Sequence, residues 1–111
     1  MPQPSLPHHR LIAWHLAAEL VQLVFAIHIT DADDRREARR AAKSCARNVA
    51  EGAGRRSRAD KARVYAIARG ECGECVASIE LAGATGGCKP GDVARVTELG
   101  SRLSGMLYRL S

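Results

Sequence analysis

The sequence predicts an all-α protein folded as an antiparallel, up-down four-helix bundle. Three observations lead there. Apolar residues recur in alternating steps of three and four through four consecutive segments, which is the spacing of helices packed side by side around a common core. Short, breaker-rich stretches separate the segments, and short connections make consecutive helices antiparallel neighbours. Composition agrees: 46% of the 111 residues are hydrophobic but only 4% are aromatic, alanine is abundant, and strand formers are sparse outside residues 21–29. This length suits one domain and is too short for two ordinary ones.

Residues 1–7 hold three of the four prolines and are expected to be a disordered lead-in to a single domain over residues 8–111. The first helix is expected over residues 9–29. Its apolar run, LIAWHLAAELVQLVFAIHI (residues 11–29), is long enough to imitate a membrane span. His15, Glu19 and Gln22, however, form one polar stripe at i, i+4 and i+7. A charge and an amide in mid-span are expensive in lipid, and no convincing cleavage site follows. The segment therefore reads as a helix of a soluble protein, with Leu11, Trp14, Ala18, Val21 and Phe25 as its seam. It is apolar over more of its girth than one partner helix can cover, which points to contacts between subunits.

A turn over residues 30–33 precedes the second helix, expected over residues 34–53 with Ala38, Ala42, Cys45, Val49 and Gly52 inward and Gly52 and Gly54 near its end. Ser57 is a good N-cap for the third helix, with Asp60 as an imperfect capping-box partner. Tyr65, Ala68, Cys72, Cys75, Ile79 and Ala82 form its seam, and Gly86-Gly87 stops it after about residue 85. Pro90 supplies the first position of the fourth helix, whose seam is Val93, Val96, Gly100, Leu103, Leu107 and Leu110. The small seam residues of the second and third helices predict a close approach of their axes.

Cys72-Gly73-Glu74-Cys75 has the spacing of a zinc clip or a redox pair, and Cys45 and Cys88 would bring the ligand count to four. Yet Cys45, Cys72 and Cys75 all fall on the inward seams, where a free cysteine serves as a small hydrophobe. A thioredoxin-like pair opens a helix after a strand; this one lies mid-helix. Core packing is the better reading, with Cys88 in the turn before the fourth helix. Four cysteines without an export signal fit a reducing cytoplasm.

Charge is unevenly spread. Residues 35–69 carry twelve Lys/Arg against three acids, net +9, whereas the remainder carries five against nine, net −4. Such asymmetry points towards nucleic acid. Arg36, Arg40, Lys43 and Arg47 stand at steps of four, three and four, a basic ridge opposite the alanine seam, and Arg55, Arg56 and Arg58 cluster at the following turn. The ridge has almost no acids interspersed, unlike ordinary solubilising surfaces. Ser44, Asn48 and Glu51 flank the seam of the second helix, and Arg69 and Glu74 lie on the third beside Gly70 and Gly73. Glycine is unfavourable inside a helix, so these two suggest a close neighbour. Glu51 and Arg69 are expected to form a partly buried pair, with Asn48 and Glu74 satisfying the remaining groups.

No phosphate-binding Walker loop, nucleophile elbow or paired Glu-x-x-His motif occurs in the sequence. His8 and His9 fall in the lead-in, His15 and Glu19 make a single pair, and His28 lacks a near carboxylate on its own helix. The sequence reads as non-enzymatic, with no cofactor and no metal.

The stretch RRAAKSCARNVAEGAGRRSRADKARVYAIARGECGEC, residues 39–75, resembles a family of four-helix bundle proteins first met as reading frames within intervening sequences of bacterial 23S ribosomal RNA genes. That family includes relatives of the accessory variability determinant of diversity-generating retroelements. Its pattern looks like RRAA-x-S-x-x-x-N-[IV]-AEG-x-GR-x-S followed by IARGS-x-x-E-L. Arg39 to Ala42, Ser44, Asn48 to Gly52, Gly54-Arg55, Ser57, Ile67 to Gly70 and Glu74 match in order and spacing. Upstream, Trp14, Ala17 and Glu19-Leu20-Val21 are similar to the family's W-x-x-A-x-ELV. Cysteine replaces the usual Ile or Leu at positions 45, 72 and 75, Lys61 and Val64 stand in place of phenylalanines, and Glu71 replaces a serine. The resemblance implies a ring-shaped homopentamer that presents basic surfaces to nucleic acid and to a reverse transcriptase. Repeated around such a ring, the ridge would give a continuous positive field suited to phosphate backbones. Two functions stay open at this point: sequence-tolerant binding of RNA or DNA, or a protein–protein scaffold docking an acidic partner such as a reverse transcriptase.

Overall fold

A computed structural model describes residues 5–111, in which a 3-10 turn, Pro7–Arg10, precedes four helices. These are α1 (Ile12–Ala26), α2 (Ala32–Gly54), α3 (Arg58–Ala84) and α4 (Pro90–Leu110). Each helix packs on its neighbours in sequence, α1 closes the square against α4, and α2 with α3 forms the most extensive contact. The Thr30 N–H donates to the Gly87 carbonyl at 2.9 Å, joining the α1–α2 turn to the α3–α4 turn at one end of the bundle. The α2–α3 turn lies at the other end, as up-down connectivity requires. The four-helix architecture and three of the four seams follow the sequence.

Local chemistry explains the helix ends. Ser57 caps α3 by accepting the Asp60 N–H at 3.0 Å. The Asp60 carboxylate goes to Arg63 at 2.9 Å and Arg55 at 3.5 Å, so the second half of a capping box is not made. Gly86 ends α3 with φ of 80°, and the Gly87 N–H bonds back to the Ala82 carbonyl at 2.8 Å. Pro90 opens α4. α2 begins at Ala32, earlier than its apolar spacing suggests. The Asp31 side chain accepts the Asp34 N–H at 2.9 Å, and Asp33 and Asp34 sit favourably at the positive end of the helix dipole. The aspartates that resemble a turn are the start of the helix.

α1 departs most from expectation. It is shorter at both ends than residues 9–29. His8 and His9 belong to the ordered 3-10 turn, where His8 meets the Trp14 ring edge-on at 4.6 Å and His9 accepts the Leu6 N–H at 3.0 Å. The expected disordered lead-in falls partly on residues 1–4, outside the described residues. At the other end Ile27 and Ile29 leave the helix yet remain buried as apolar plugs. The inward face is also different: Ala13, Leu16, Ala17, Leu20 and Val24 are buried, whereas Leu11, Trp14, Ala18 and Val21 are half-buried and Phe25 is 39% exposed. A helix apolar almost all round carries more than one stripe of suitable spacing, and periodicity alone does not choose between them.

The α2 and α3 seams are as predicted, with Ala38, Ala42, Cys45, Val49, Ala68, Cys72, Cys75, Ile79 and Ala82 all fully buried. In α4 Val96, Gly100, Leu103 and Leu107 are buried, while Leu110 is exposed. All four cysteines are free and buried. Cys72 Sγ donates to the Gly100 carbonyl at 3.3 Å. Its hydrogen bond to Cys45, together with burial, raises the Cys45 thiol, and burial beside Cys72 pushes Cys75 up to about 12. The same hydrogen bond with Cys45 outweighs burial at Cys72 and lowers that thiol, so the un-ionised form is favoured at Cys45 and Cys75. Among the described residues no group of three or more His, Cys, Asp or Glu is placed to hold a metal ion, and no helix is long and apolar enough to cross a membrane.

Close approach occurs at glycines other than those expected. Gly70 and Gly73 face open space, with nothing within 4 Å of an added Cβ. Gly52 instead lies under Tyr65, whose Cε1 would stand 2.8 Å from a Cβ, and Gly100 lies under Val76. Alanine at position 70 or 73 should therefore raise the melting temperature, each change adding about 0.5–1 kcal/mol of stability. Alanine at position 52 or 100 should lower stability by about 1–3 kcal/mol through overpacking. Thermal and urea denaturation of the four single variants checks both signs.

Candidate nucleic-acid interface

Because α2 turns its alanines inward, its long basic side chains emerge on the opposite side. Lys43, Arg47, Arg56 and Arg58 are exposed and have no carboxylate partner among the described residues. Arg36 pairs with Asp33 at 2.8 Å, but both side chains are largely in water and such a pair holds weakly. Arg55 is engaged more fully, by Glu51 one turn back and by Asp60.

Arg40 differs from the rest of the ridge. Its guanidinium contacts three carboxylates: Glu37 at 2.7 Å, Glu71 at 2.9 Å and Glu74 at 2.9 Å. Two of these acids come from α3, so spacing along α2 could not reveal them. The ridge, expected to have almost no acids interspersed, is met by three of them at its middle. Hydrogen bonding from Arg40 holds the Glu37 carboxyl below its ordinary value. For Glu71 burial acts upward, but hydrogen bonds from Ser44, Glu74 and Arg40 prevail and hold it low. Glu74 is pushed up by sharing a hydrogen bond with Glu71 and by that neighbour's charge. The family-like Glu74 thus serves Arg40.

The expected pairing of Glu51 with Arg69 does not form. Glu51 is exposed and bonds Arg55, the residue just past the end of α2, whereas Arg69 lies over the Tyr108 ring of α4 at 4.8 Å. Asn48 donates to the Ser44 carbonyl at 2.9 Å, within α2. The four residues are not brought together, because Glu51, Arg69 and Glu74 each have a nearer partner: Arg55, the Tyr108 ring and Arg40.

Sequence spacing missed Phe25, Arg35 and Arg39. At the α1–α2 junction these line a pocket of about 380 Å³ together with Arg36, Arg40 and Lys43. The Arg39 guanidinium carbon stands 4.7 Å from the Phe25 ring centroid and Lys43 Nζ 5.1 Å from it, both within cation–π range. Arg35 Nη1 donates to the Ile29 carbonyl at 2.8 Å. The spacing of positions 35, 39 and 43, each four apart, was the available signal; assigning Phe25 to the core obscured it.

The residue pattern of the family described as 23S rRNA-intervening sequence protein matches residues 9–109. The chain belongs to that family. The match takes in α4, where the resemblance, carried by residues of the first three helices, offered only heptad spacing. Comparison with curated proteins gives no match. In this member of the family several pattern residues acquire physical reasons. Gly52 makes room for Tyr65, and Ser57 caps α3. Glu71, in the place of a serine, reaches across to Arg40. Lys61, in the place of a phenylalanine, donates from Nζ to the Ala53 carbonyl at 2.7 Å and so satisfies the last turn of α2.

Beside the basic face, Trp14, Ala18, Val21, Ala46 and Ala50 line a shallow groove of about 480 Å³ between α1 and α2, with Lys43 and Arg47 at its rim. The apolar breadth of α1 read from the sequence appears here as uncovered surface.

The three glutamates around Arg40 should titrate in a definite order. Glu37 and Glu71, held below the ordinary 4.5, favour the folded state above that pH and lose this contribution as pH falls through their folded values. Glu74, held above 4.5, has the opposite sign: its contribution is present at low pH and fades as pH rises past its folded value. Carboxyl carbon NMR titration should find Glu74 highest of the three, and Arg40→Ala should move Glu37 upward.

Proposed function

We propose that this protein is a non-catalytic, oligomeric bundle that contacts the phosphate backbone of nucleic acid through α2 and the α2–α3 turn. One observation carries the reading. With ion pairs set aside, Arg39, Lys43 and Arg47 on α2 and Arg56 and Arg58 beyond it keep cations without carboxylate partners among the described residues, in a chain whose remainder is net acidic. Such cations displace condensed counterions from a phosphate chain, and a rigid helix fixes their spacing. The family description names intervening sequences of 23S rRNA, a nucleic-acid setting in keeping with this reading. Contact with phosphates is sequence-tolerant, because phosphates carry no base identity.

The test is binding of single-stranded RNA and duplex DNA across a salt series. Affinity should fall steeply with salt. Removing Arg47, Arg56 and Arg58 together should lower the slope of log K against log salt by about 0.7 per lost contact on single strands and about 0.9 on duplex. Arg40→Ala should leave the slope unchanged, since its charge is already matched. Binding that does not respond to salt would refute the reading.

The resemblance favours a homopentameric ring, and the apolar groove of Trp14, Ala18 and Val21 supports burial of this face between subunits. Light scattering should give a mass about five times the 11.9 kDa chain, and Val21→Glu should reduce it while leaving helical content intact. A second reading rests on the same groove: an apolar slot rimmed by Lys43 and Arg47 suits an acidic amphipathic partner, such as a reverse transcriptase segment. Co-purification of one defined protein, without RNA affinity, would favour that scaffold.

A further inference from the structure

Arg35, Arg39 and Lys43 follow one another at four-residue intervals on α2, so their side chains rise on one face, turn above turn. Like charges at that spacing repel. The nearby acids do not relieve them: Asp33 pairs with Arg36, and Glu37 pairs with Arg40. What gathers the line is the Phe25 ring, against which Arg39 and Lys43 are held, while Arg35 is tied to the Ile29 carbonyl. The result is a pocket of about 380 Å³ with cations fixed before any ligand arrives. Arg39 Nε is sealed from solvent without an acceptor among the described residues, so the terminal nitrogens of this guanidinium are the ones left to meet a ligand.

From this geometry we propose that the Phe25 pocket is a phosphate-binding site, in which the Arg39 guanidinium and the Lys43 ammonium take the oxygens of one phosphate group. The inference rests on the nucleic-acid reading for its location and narrows it to a single seat. A guanidinium edge offers two parallel donors, the ammonium adds a third direction, and Arg36 can turn from its exposed aspartate to supply a fourth. Donors converging from three side chains suit a tetrahedral anion with several oxygens better than a carboxylate with two. The occupant is a backbone phosphodiester or a small free phosphate, and these two sources share the chemistry.

The experiment uses the full-length chain and inorganic phosphate, followed by amide and arginine Nε–H resonances against a chloride control at equal ionic strength. Saturable shifts centred on Arg39 and Lys43, absent with chloride, are expected. Arg39→Ala and Lys43→Ala should each weaken binding about tenfold. Arg39→Lys, which keeps the charge but loses the fork, should also weaken it, and Arg56→Ala with Arg58→Ala should not. Circular dichroism establishes that each variant is folded. Shifts that follow ionic strength alone, or phosphate affinity unchanged in folded Arg39→Ala, overturn the site. A short RNA competing with inorganic phosphate identifies the backbone as occupant. Saturable phosphate binding that RNA leaves untouched supports the pocket as a seat for free phosphate and counts against the nucleic-acid reading. RNA binding that depends on Arg56 and Arg58, without any saturable phosphate response, removes the pocket and leaves the broader reading standing.

Discussion

The contact between α2 and α3 governs the rest of the molecule. Its lining is alanine, cysteine and glycine with a few larger residues, and Tyr65 enters only because Gly52 has no side chain. Thin side chains allow two helices to lie close over a long distance, and a dense interior with few voids follows. Closeness has an electrical consequence. It brings Glu71 and Glu74 of α3 within reach of Arg40 on α2. It also leaves the long basic side chains of α2 nowhere to go but outward.

Much of this organisation was legible in the residues. Ser57, Gly86 and Pro90 marked helix ends through general backbone chemistry, and the seams of α2, α3 and most of α4 followed from spacing. The place of Cys72 and Cys75 on the inward seam marked them as core residues, and both are fully buried. What was not legible had three physical origins. α1 is apolar on nearly every side, so its pattern did not single out the face that packs. The partners of Arg40 come from another helix, and a helical wheel of α2 contains no term for them. Gly70 and Gly73 look like packing glycines in a string of letters, but only the fold tells whether a neighbour stands over them.

The candidate site divides along the same line. Lys43, Arg47, Arg56 and Arg58 were found because exposure and charge can be read locally. Arg39 was missed because its distinguishing property is the Phe25 ring, which belongs to a different helix and was assigned to the interior. A cation held by an aromatic ring keeps its charge available, whereas a cation held by carboxylates does not. Arg39 and Arg40, adjacent in sequence, therefore differ in how far their charge is already matched.

One main-chain bond has a further consequence. The Thr30 N–H reaches the Gly87 carbonyl across the gap between two hairpins that are already joined covalently at their far end by the α2–α3 turn. The bundle is thereby clasped at both ends, like a buckled strap. Sliding of one hairpin along the other is opposed at each extremity. A Cβ at position 87 would rest against the Thr30 side chain at 3.4 Å, an ordinary contact, so the clasp is close-fitting but not strained there.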